Sequence, residues 1–311
     1  MAQTAGATKH TLGMFLPTEQ RNSLSTALHE LQAEEILELI NDEDSFAVSE
    51  AKRVIPKTAE LVRVAIDCIY SGGSVHYFGA GTSGRIATQD AAELYPTFHT
   101  PPEVVQAHMA GGVDALLTSV ENAEDDVAAG ASDASGLGPK DLAIGLAASG
   151  RTPYVGGALE KARANGAKTA IIACVPEPTL AQYADIVIAG DTGPEILTGS
   201  TRLKAGTFQK VLLSGFSTAV MVGLGRTYSN LMVSMVATNE KLHSRSIRIL
   251  MEGSGLSQEK AVELFEQCSG DLKLALVCGI SKTTPDFARP YLSAAGDVVH
   301  RALESITNKT E

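Results

Sequence analysis

The sequence contains no tryptophan, and aromatic residues make up only 5% of its 311 positions. A surface that stacks on nucleic-acid bases needs aromatic side chains. The formal charge is −11, from 25 Lys and Arg against 36 Asp and Glu. We therefore expect neither nucleic acid nor an anionic membrane as a partner. A small anionic ligand is compatible with this charge, because a few backbone amides and hydroxyls can hold a phosphate within an acidic protein.

Cysteine is scarce, and long hydrophobic runs are absent. None of the four cysteines forms a Cys-x-x-Cys pair, which argues against a zinc or disulfide framework and favours a reducing compartment. Residues 1–14 lack the pattern of a signal peptide. The longest apolar run, 211–224, is interrupted by serine and threonine, so it predicts a buried helix rather than a membrane span. No His, Cys and carboxylate cluster has metal-ligand spacing, so we expect no metal.

The hydrophobic periodicity predicts an α/β protein. Apolar residues recur at helical spacing over 24–70, which indicates several helices broken near Asn41-Asp42 and at Pro56. Short apolar runs then alternate with helical stretches, which is typical of a parallel sheet flanked by helices. The region 204–250 is again helical in pattern. We predict strands at 74–78, 104–109, 142–147, 168–175 and 186–189, and C-terminal helices at 257–268, 271–278 and 290–306.

Three regions follow from this pattern. Residues 1–70 are expected to form helices that pack on the sheet, and residues 71–251 to form the sheet domain itself. A glycine-containing break at residues 253–255 marks the next boundary, and residues 252–311 are expected to form a small all-helical unit.

A glycine-rich segment follows the first predicted strand. Residues 79–84 fit the G-x-G-x-x-G pattern that holds phosphate at a helix N-terminus. A dinucleotide site also needs an acidic residue at the end of the second strand, and residues 108–112 contain none. Because Thr82 and Ser83 add hydroxyls that suit one phosphate group, we favour a sugar phosphate over a dinucleotide. Alone, the segment would predict only a tight turn.

Two further clusters of small hydroxyl residues precede predicted helices, at 148–153 and at 198–207. Each hydroxyl alone is better explained as a helix cap. The carboxyl ends of parallel strands meet along one edge of a sheet, so we expect the first two loops to converge. Three clusters in one chain favour an anion site. The predicted phosphate-binding residues are Thr82, Ser83, Gly84, Ser149, Gly150 and Thr152, and the further predicted substrate-binding residues are Ser200, Thr201 and Lys204.

Two carboxylates are candidates for acid–base chemistry. Glu93 lies near the end of the helix that begins at the glycine-rich segment, where a carboxylate opposes the helix dipole. Glu124 lies in an acidic run, for which a solvated helix start is the simpler interpretation. From the residues alone, Glu93 and Glu124 are only candidates for a general acid–base pair.

Taken together, these segments resemble the N-acetylmuramic acid 6-phosphate etherases, a branch of the SIS (sugar isomerase) fold. The matching pieces are long and extend over most of the chain. They are residues 18–22, 40–44, 79–85, 90–93 with 96–97, 110–112, 123–125, 147–154, 198–207, 230–233 and 237–242.

The resemblance implies a SIS-type, flavodoxin-like three-layer fold and a UBA-like C-terminal unit. It also implies a cytoplasmic enzyme, metal-free and without a cofactor, that releases D-lactate from a sugar phosphate. SIS-type proteins are commonly dimers, so a homodimer is expected. In this family the glutamate at the position of Glu93 protonates the leaving ether oxygen, and that at the position of Glu124 is the other catalytic carboxylate.

The chain departs from the family pattern at Leu94 and Tyr95 beside Glu93, and at Ser229 and Ser234. These changes leave the sugar specificity open. Other functions compatible with the pattern are a non-catalytic regulator that senses a sugar phosphate, and an aldose–ketose isomerase of the same fold. A dinucleotide oxidoreductase is disfavoured, because the sequence lacks the acidic residue that would hold the ribose. A glycosidase also uses two carboxylates, but it would not need the three hydroxyl clusters.

Overall fold

The computed structural model of the chain describes residues 17–235 and 240–310. The strands are β1 (Val75–Gly79), β2 (Val105–Met109), β3 (Leu142–Ala147), β4 (Lys168–Ala173) and β5 (Ile186–Ala189). The helices are α1 (Ala33–Arg53), α2 (Ile55–Tyr70), α3 (Gly81–Phe98), α4 (Asp114–Leu117), α5 (Val127–Asp133), α6 (Pro153–Ala164), α7 (Lys204–Gly223), α8 (Glu240–Ser254), α9 (Gln258–Gln267), α10 (Leu272–Ser281), α11 (Pro285–Ala294) and α12 (Val299–Thr310).

The strands form one parallel sheet in the order β2-β1-β3-β4-β5 within the described residues. β1 and β3 are buried along their whole length, whereas the edge strands β2 and β5 are partly exposed. Apolar runs suit strands that are covered on both faces. Each predicted strand is confirmed with its limits shifted by at most two residues. The order reverses between β1 and β3, where ligands bind in open sheets of this kind.

Different side chains of β1 serve the two faces of the sheet. Phe78 belongs to a buried cluster with Tyr154 and Leu159 of α6. Tyr77 meets Phe216 of α7 edge-on, with ring centroids 6.5 Å apart. Successive side chains of a strand point to opposite faces, so helices cover the sheet on both sides and the predicted α/β class is confirmed.

The chain divides into two compact units. One contains the described residues up to Ala91 together with Pro102–Ser217, and the other contains Ala92–Pro101 and the described residues from Thr218 onward. The second unit has its own core, built by apolar side chains of α8 to α12 such as Leu250, Phe265 and Val299. This division starts the helical unit earlier than residue 252. The expected boundaries at 70 and 251 stay predictions.

Three helix limits differ from the sequence prediction. α1 continues through Asn41 and Asp42, because both side chains are exposed and each lowers helix stability by only about 0.5 kcal/mol. The expected break at Pro56 is confirmed, since α1 ends at Arg53 and α2 begins at Ile55 with proline in its first turn.

The other two differences concern the C-terminal part of the chain. Residues 204–250 do not form continuous helix, since α7 ends at Gly223 and α8 begins at Glu240. The predicted helix at 290–306 is two helices, α11 and α12, separated at Gly296, whose φ of 64° favours glycine. Within the described ranges, no helix has both the length and the apolar character to cross a membrane.

Candidate active site

The turn from β1 into α3 is held tight by glycine. A β-carbon at Gly84 would lie 2.7 Å from the carbonyl oxygen of Gly79, so no larger residue fits there. The first turn of α3 contains no acidic residue. Thr82 is half-buried and Ser83 is buried. The Ser83 hydroxyl donates to Gln209 Oε1 of α7 over 2.9 Å. This turn therefore directs small polar groups and backbone amides to the carboxyl edge of the sheet.

The loop after β3 has a similar design. Gly150 has a φ of 67°, and a β-carbon there would lie 2.4 Å from Cβ of Pro178. Thr152 precedes α6 but makes no side-chain capping hydrogen bond, and Pro153 occupies the first turn. The hydroxyls of Ser149 and Thr152 are half-buried and bond to no other described residue. They are therefore available to a ligand.

The structure brings the three hydroxyl clusters together. A β-carbon at Gly206 would lie 3.5 Å from Thr82 Cγ2, which joins the start of α7 to the first loop. The Cys174 amide donates to the carbonyl of Ala148 over 3.0 Å, and its thiol donates to the carbonyl of Ala205 over 3.5 Å. Cys174 thus links the loop after β3 to α7. The third cluster therefore lies near the first two, whose convergence alone was expected from the sequence.

Sequence reasoning missed that the N-terminus of α7 is already occupied. Glu195, 1% exposed, accepts hydrogen bonds from the amides of Lys204 and Ala205 at 3.1 and 3.0 Å. Burial raises the pKa of its carboxyl, while the two amides oppose that shift. The helix dipole favours a carboxylate at this position. This end of α7 is therefore capped by the chain itself.

Lys204 is also engaged by the chain. Its side chain is 4% exposed, and its ammonium group forms an ion pair with Glu43 of α1. Asn22 holds the same carboxylate, with its amide 2.7 Å from Glu43 Oε2. The hydroxyls of Ser200 and Thr201, by contrast, have no hydrogen-bond partner among the described residues. No spacing rule links Glu43 or Glu195 to residue 204, so sequence patterns could not reveal this pairing.

A cavity of about 370 Å³ lies beside the glycine-rich loop. Glu124, in a short 3-10 turn at Ala123–Asp125, forms part of its wall. Arg85 holds the opposite segment: it donates to the carbonyls of Leu116 and Ala115 at 3.1 and 2.8 Å. A third bond, of 3.3 Å, goes to the carbonyl of Thr118. The guanidinium therefore fixes the segment that leads to Glu124.

The two predicted carboxylates are both exposed and lie in different compact units. Glu124 belongs to the sheet unit and faces the cavity, whereas Glu93 lies on α3 within Ala92–Pro101 of the helical unit. The remaining cavity-lining residues all come from the sheet unit. They are Ala80, Gly81, Arg85, Met109, Ala110, Ala115, Ser119, Val120, Glu121, Asn122 and Ala123. The roles of Glu93 and Glu124 stay predictions.

Asp90 is a buried carboxyl that the sequence analysis did not single out. It accepts hydrogen bonds from Tyr77 at 3.1 Å and from Ser217 at 2.9 Å. Burial raises its pKa to about 6, although both hydrogen bonds oppose the shift. It ties α3 to β1 and α7. In the part of the chain that the structure describes, no group of three or more His, Cys, Asp or Glu could hold a metal ion.

Two protein families match parts of the chain. Residues 53–163 match the family described as the glucokinase regulatory protein N-terminal SIS domain, and residues 117–216 match the SIS domain. Among solved structures, the phosphoheptose isomerase from Neisseria gonorrhoeae is 18% identical with a TM-score of 0.48, over 61% of this chain and 99% of that one. The sheet order and these family matches define a SIS-domain protein.

Curated relatives narrow this class. The N-acetylmuramic acid 6-phosphate etherase of Thermobifida fusca is 51% identical over 84% of this chain and 86% of its own length. That of Geobacillus thermodenitrificans is 46% identical over 93% of this chain and 99% of its own length. The chain belongs to the N-acetylmuramic acid 6-phosphate etherase family, which confirms the resemblance drawn from the sequence.

Proposed function

We propose that this protein cleaves the D-lactyl ether of N-acetylmuramic acid 6-phosphate, giving N-acetylglucosamine 6-phosphate and D-lactate. The observation that carries this proposal is the 51% identity, over most of both chains, to a protein named for that activity. Such an enzyme is a carbon–oxygen lyase. Neither a regulator without chemistry nor an isomerase accounts for that identity.

The substrate's phosphate is proposed to bind where the loops after β1 and β3 meet. Thr82, Ser83 and Gly84 come from the first loop, and Ser149, Gly150 and Thr152 come from the second. Four of these residues carry hydroxyls, and two helices begin here, so amides and helix dipoles favour an anion. Ser200 and Thr201 are proposed to contact the sugar phosphate from the third cluster.

For Lys204 we revise the expectation of direct substrate contact. Its ammonium group is nearly inaccessible and is paired with Glu43. We propose instead that it supports the loop that carries Ser200 and Thr201. The pair is best regarded as a positioning device, because breaking a buried ion pair leaves an uncompensated charge.

The reaction follows from the chemistry of an opened sugar. Ring opening exposes a C1 aldehyde, which makes the C2 proton acidic because the carbanion delocalises into the carbonyl. A base removes that proton, a double bond forms between C2 and C3, and the C3–O bond breaks. The leaving oxygen takes a proton and departs as lactate. Water then adds at C3, and C2 regains a proton to give the product.

Glu124 is proposed as the base at C2, and Glu93 as the acid that protonates the ether oxygen. Glu93 then serves as the base that activates the water. Glu124 borders the cavity next to the glycine-rich loop, which supports its place beside a bound sugar phosphate. The phosphate is remote from the breaking bond, so its binding energy can orient the reacting carbons.

We further propose that the protein acts as a cytoplasmic homodimer. Large apolar side chains lie exposed on and beside α1, including Leu37 at 65% and Phe46 at 47%. Exposed apolar groups of this size are typical of surfaces that associate. Sedimentation velocity of the purified chain tests the dimer.

The deciding experiment is product analysis with the 6-phosphorylated lactyl amino sugar. We expect free D-lactate and N-acetylglucosamine 6-phosphate in equal amounts. Glu93→Gln and Glu124→Gln should each lower turnover by about 10²–10⁴-fold. Glu160→Gln, an exposed glutamate of α6, is the matched control and should retain normal turnover. Near-full turnover in either active-site variant would remove that residue from the mechanism, and absence of lactate with the wild type would refute the function.

A further inference from the structure

One buried polar group next to the proposed phosphate site has no partner. Gln209, on α7, is 1% exposed, and its Oε1 accepts the Ser83 hydroxyl over 2.9 Å. Its Nε2 makes no hydrogen bond at all in this arrangement. A buried donor left unpaired destabilises a protein. Such a group calls for an explanation, because nearly all buried polar side chains in folded proteins are hydrogen-bonded.

The hydrogen bond between Gln209 and Ser83 can run in either direction. In the observed direction the hydroxyl hydrogen points at Gln209, so Ser83 has no hydrogen to offer to an anion. A half-turn of the amide brings Nε2 to Ser83 Oγ, and the amide then donates to the hydroxyl oxygen. The hydroxyl hydrogen becomes free to donate elsewhere. The half-turn also gives the orphaned Nε2 a partner and leaves a carbonyl oxygen in its place, which is the less costly group to leave unpaired.

We propose that Gln209 is a positioning residue that turns the Ser83 hydroxyl toward the phosphate of the substrate. With phosphate bound, its amide donates to Ser83 Oγ and the Ser83 hydrogen donates to a phosphate oxygen. Without phosphate, Oε1 accepts the same hydrogen. This inference rests on the proposed role of Ser83 in phosphate binding. It extends that site by a residue that contacts no ligand itself.

The packing around Ser83 and Gln209 limits which groups the Ser83 hydroxyl can reach. Ser83 is only 7% exposed, so few other groups reach its hydroxyl. The starts of α3 and α7 lie close together, since a β-carbon at Gly206 would lie only 3.5 Å from Thr82 Cγ2, and the Ser83 and Gln209 side chains bridge them. A hydrogen bond to a charged group is stronger than one between neutral groups, so a misdirected hydroxyl should weaken phosphate binding measurably.

Gln209→Met tests the proposal, since methionine is similar in size but has no amide. We expect KM for the phosphorylated substrate to rise about tenfold, with kcat changed less than about twofold. The dephosphorylated substrate should show no such rise. Because both residues act through one contact, Ser83→Ala with Gln209→Met should be no weaker than Ser83→Ala alone. Additive losses, or an unchanged KM in Gln209→Met, would overturn the inference.

Gln209→Glu supplies a second variant of the same shape. An ionised carboxylate can only accept, so it holds the Ser83 hydrogen away from the phosphate, and KM should rise further than with methionine. An equal or smaller rise would contradict the directional role, and this variant alone carries the test if Gln209→Met does not fold. Failure of the proposed function has a different signature: the wild type releases no lactate, or Ser83→Ala leaves KM unchanged.

Discussion

The two edges of the sheet use polar side chains in opposite ways. At the amino edge they bond to one another. The amide and hydroxyl of Ser74 both donate to Asp141 Oδ1, at 2.8 and 2.9 Å, and the amide of Gly138 donates to Oδ2 at 2.8 Å. His76 lies 2.8 Å from the Ser74 hydroxyl and 2.9 Å from the His108 ring nitrogen. This edge is a closed network.

At the carboxyl edge most hydroxyls of the three clusters are left free, although Ser83 donates to Gln209. The hydroxyls of Thr82, Ser149, Thr152 and Thr201 have no hydrogen-bond partner among the described residues, and none of these four residues is fully buried. Free hydroxyls beside helix N-termini contribute little to folding and much to anion binding. The comparison teaches that satisfied polar groups mark the stabilising edge of this sheet and unsatisfied, accessible ones mark the binding edge.

Lys204 is an exception that tests the comparison more severely than Ser83 does. It lies at the carboxyl edge, yet it is paired and buried like a residue of the amino edge. Lys204→Met should lower the free energy of unfolding by about 3 kcal/mol, since Glu43 is left without its partner charge. Urea denaturation measures this. The double variant with Glu43→Gln should recover part of the loss. A normal unfolding curve with a raised KM would instead return Lys204 to the substrate site.

Ser149 should behave in the reverse manner. Ser149→Ala removes one proposed hydrogen bond to a charged phosphate, so KM for the phosphorylated substrate should rise about tenfold. The free energy of unfolding should change by less than about 0.5 kcal/mol, since the hydroxyl bonds to nothing in the chain. Steady-state kinetics and urea denaturation on the same sample decide it. If Ser149→Ala lowered the free energy of unfolding without changing KM, Ser149 would have a structural role and the difference between the two edges would not hold.

The amino edge should respond to acid. Burial, and then the nearby His108, lower the pKa of His76 to about 4. The unfolded chain, with a histidine pKa near 6.5, binds the proton more readily, so stability falls as pH drops from 6.5 toward 4. Asp141, whose pKa is held low by its hydrogen bonds, adds to this loss below pH 4.

Asp90 works in the opposite direction, because its raised pKa of about 6 makes the protonated folded state the more stable one. The dependence of the wild-type free energy of unfolding on pH therefore contains opposing contributions from His76 and Asp90. His76→Gln isolates one contribution: between pH 7 and 5 it should lose about 2 kcal/mol less free energy of unfolding than the wild type. Parallel stability curves for the two proteins would exclude a titrating His76.

Arg85 should give the smallest effect. Arg85→Lys keeps the charge but cannot make the same fork of hydrogen bonds to the carbonyls of residues 115–118. We expect kcat to fall about threefold with KM little changed, because Glu124 is then less well positioned. Arg163→Lys, which loses a bond to the carbonyl of Gln182 away from the cavity, is the control. Equal kinetics for Arg85→Lys and wild type would show that residues 115–118 hold Glu124 in place without the Arg85 hydrogen bonds.

Much of the fold was predictable, because strands that are buried on both faces appear in the sequence as short contiguous apolar runs. All five strands were located from apolar runs, and proline marked the break between α1 and α2 correctly. The failures were also local in origin. Asn41 and Asp42 suggested a helix break, but both point to solvent, where their weak helix propensity is tolerated. Gly296, which separates α11 from α12, was passed over inside a helical pattern.

The amino-acid sequence alone sufficed to establish the family, the α/β class and the three hydroxyl clusters, because each of these is written in contiguous residues. Only the folded chain decided which hydroxyls stay free, that Glu195 closes α7, and that Lys204 belongs to Glu43, 161 positions away. Pairings of that kind depend on where distant segments meet in space. Local hydrophobic and glycine patterns carry no information about such meetings.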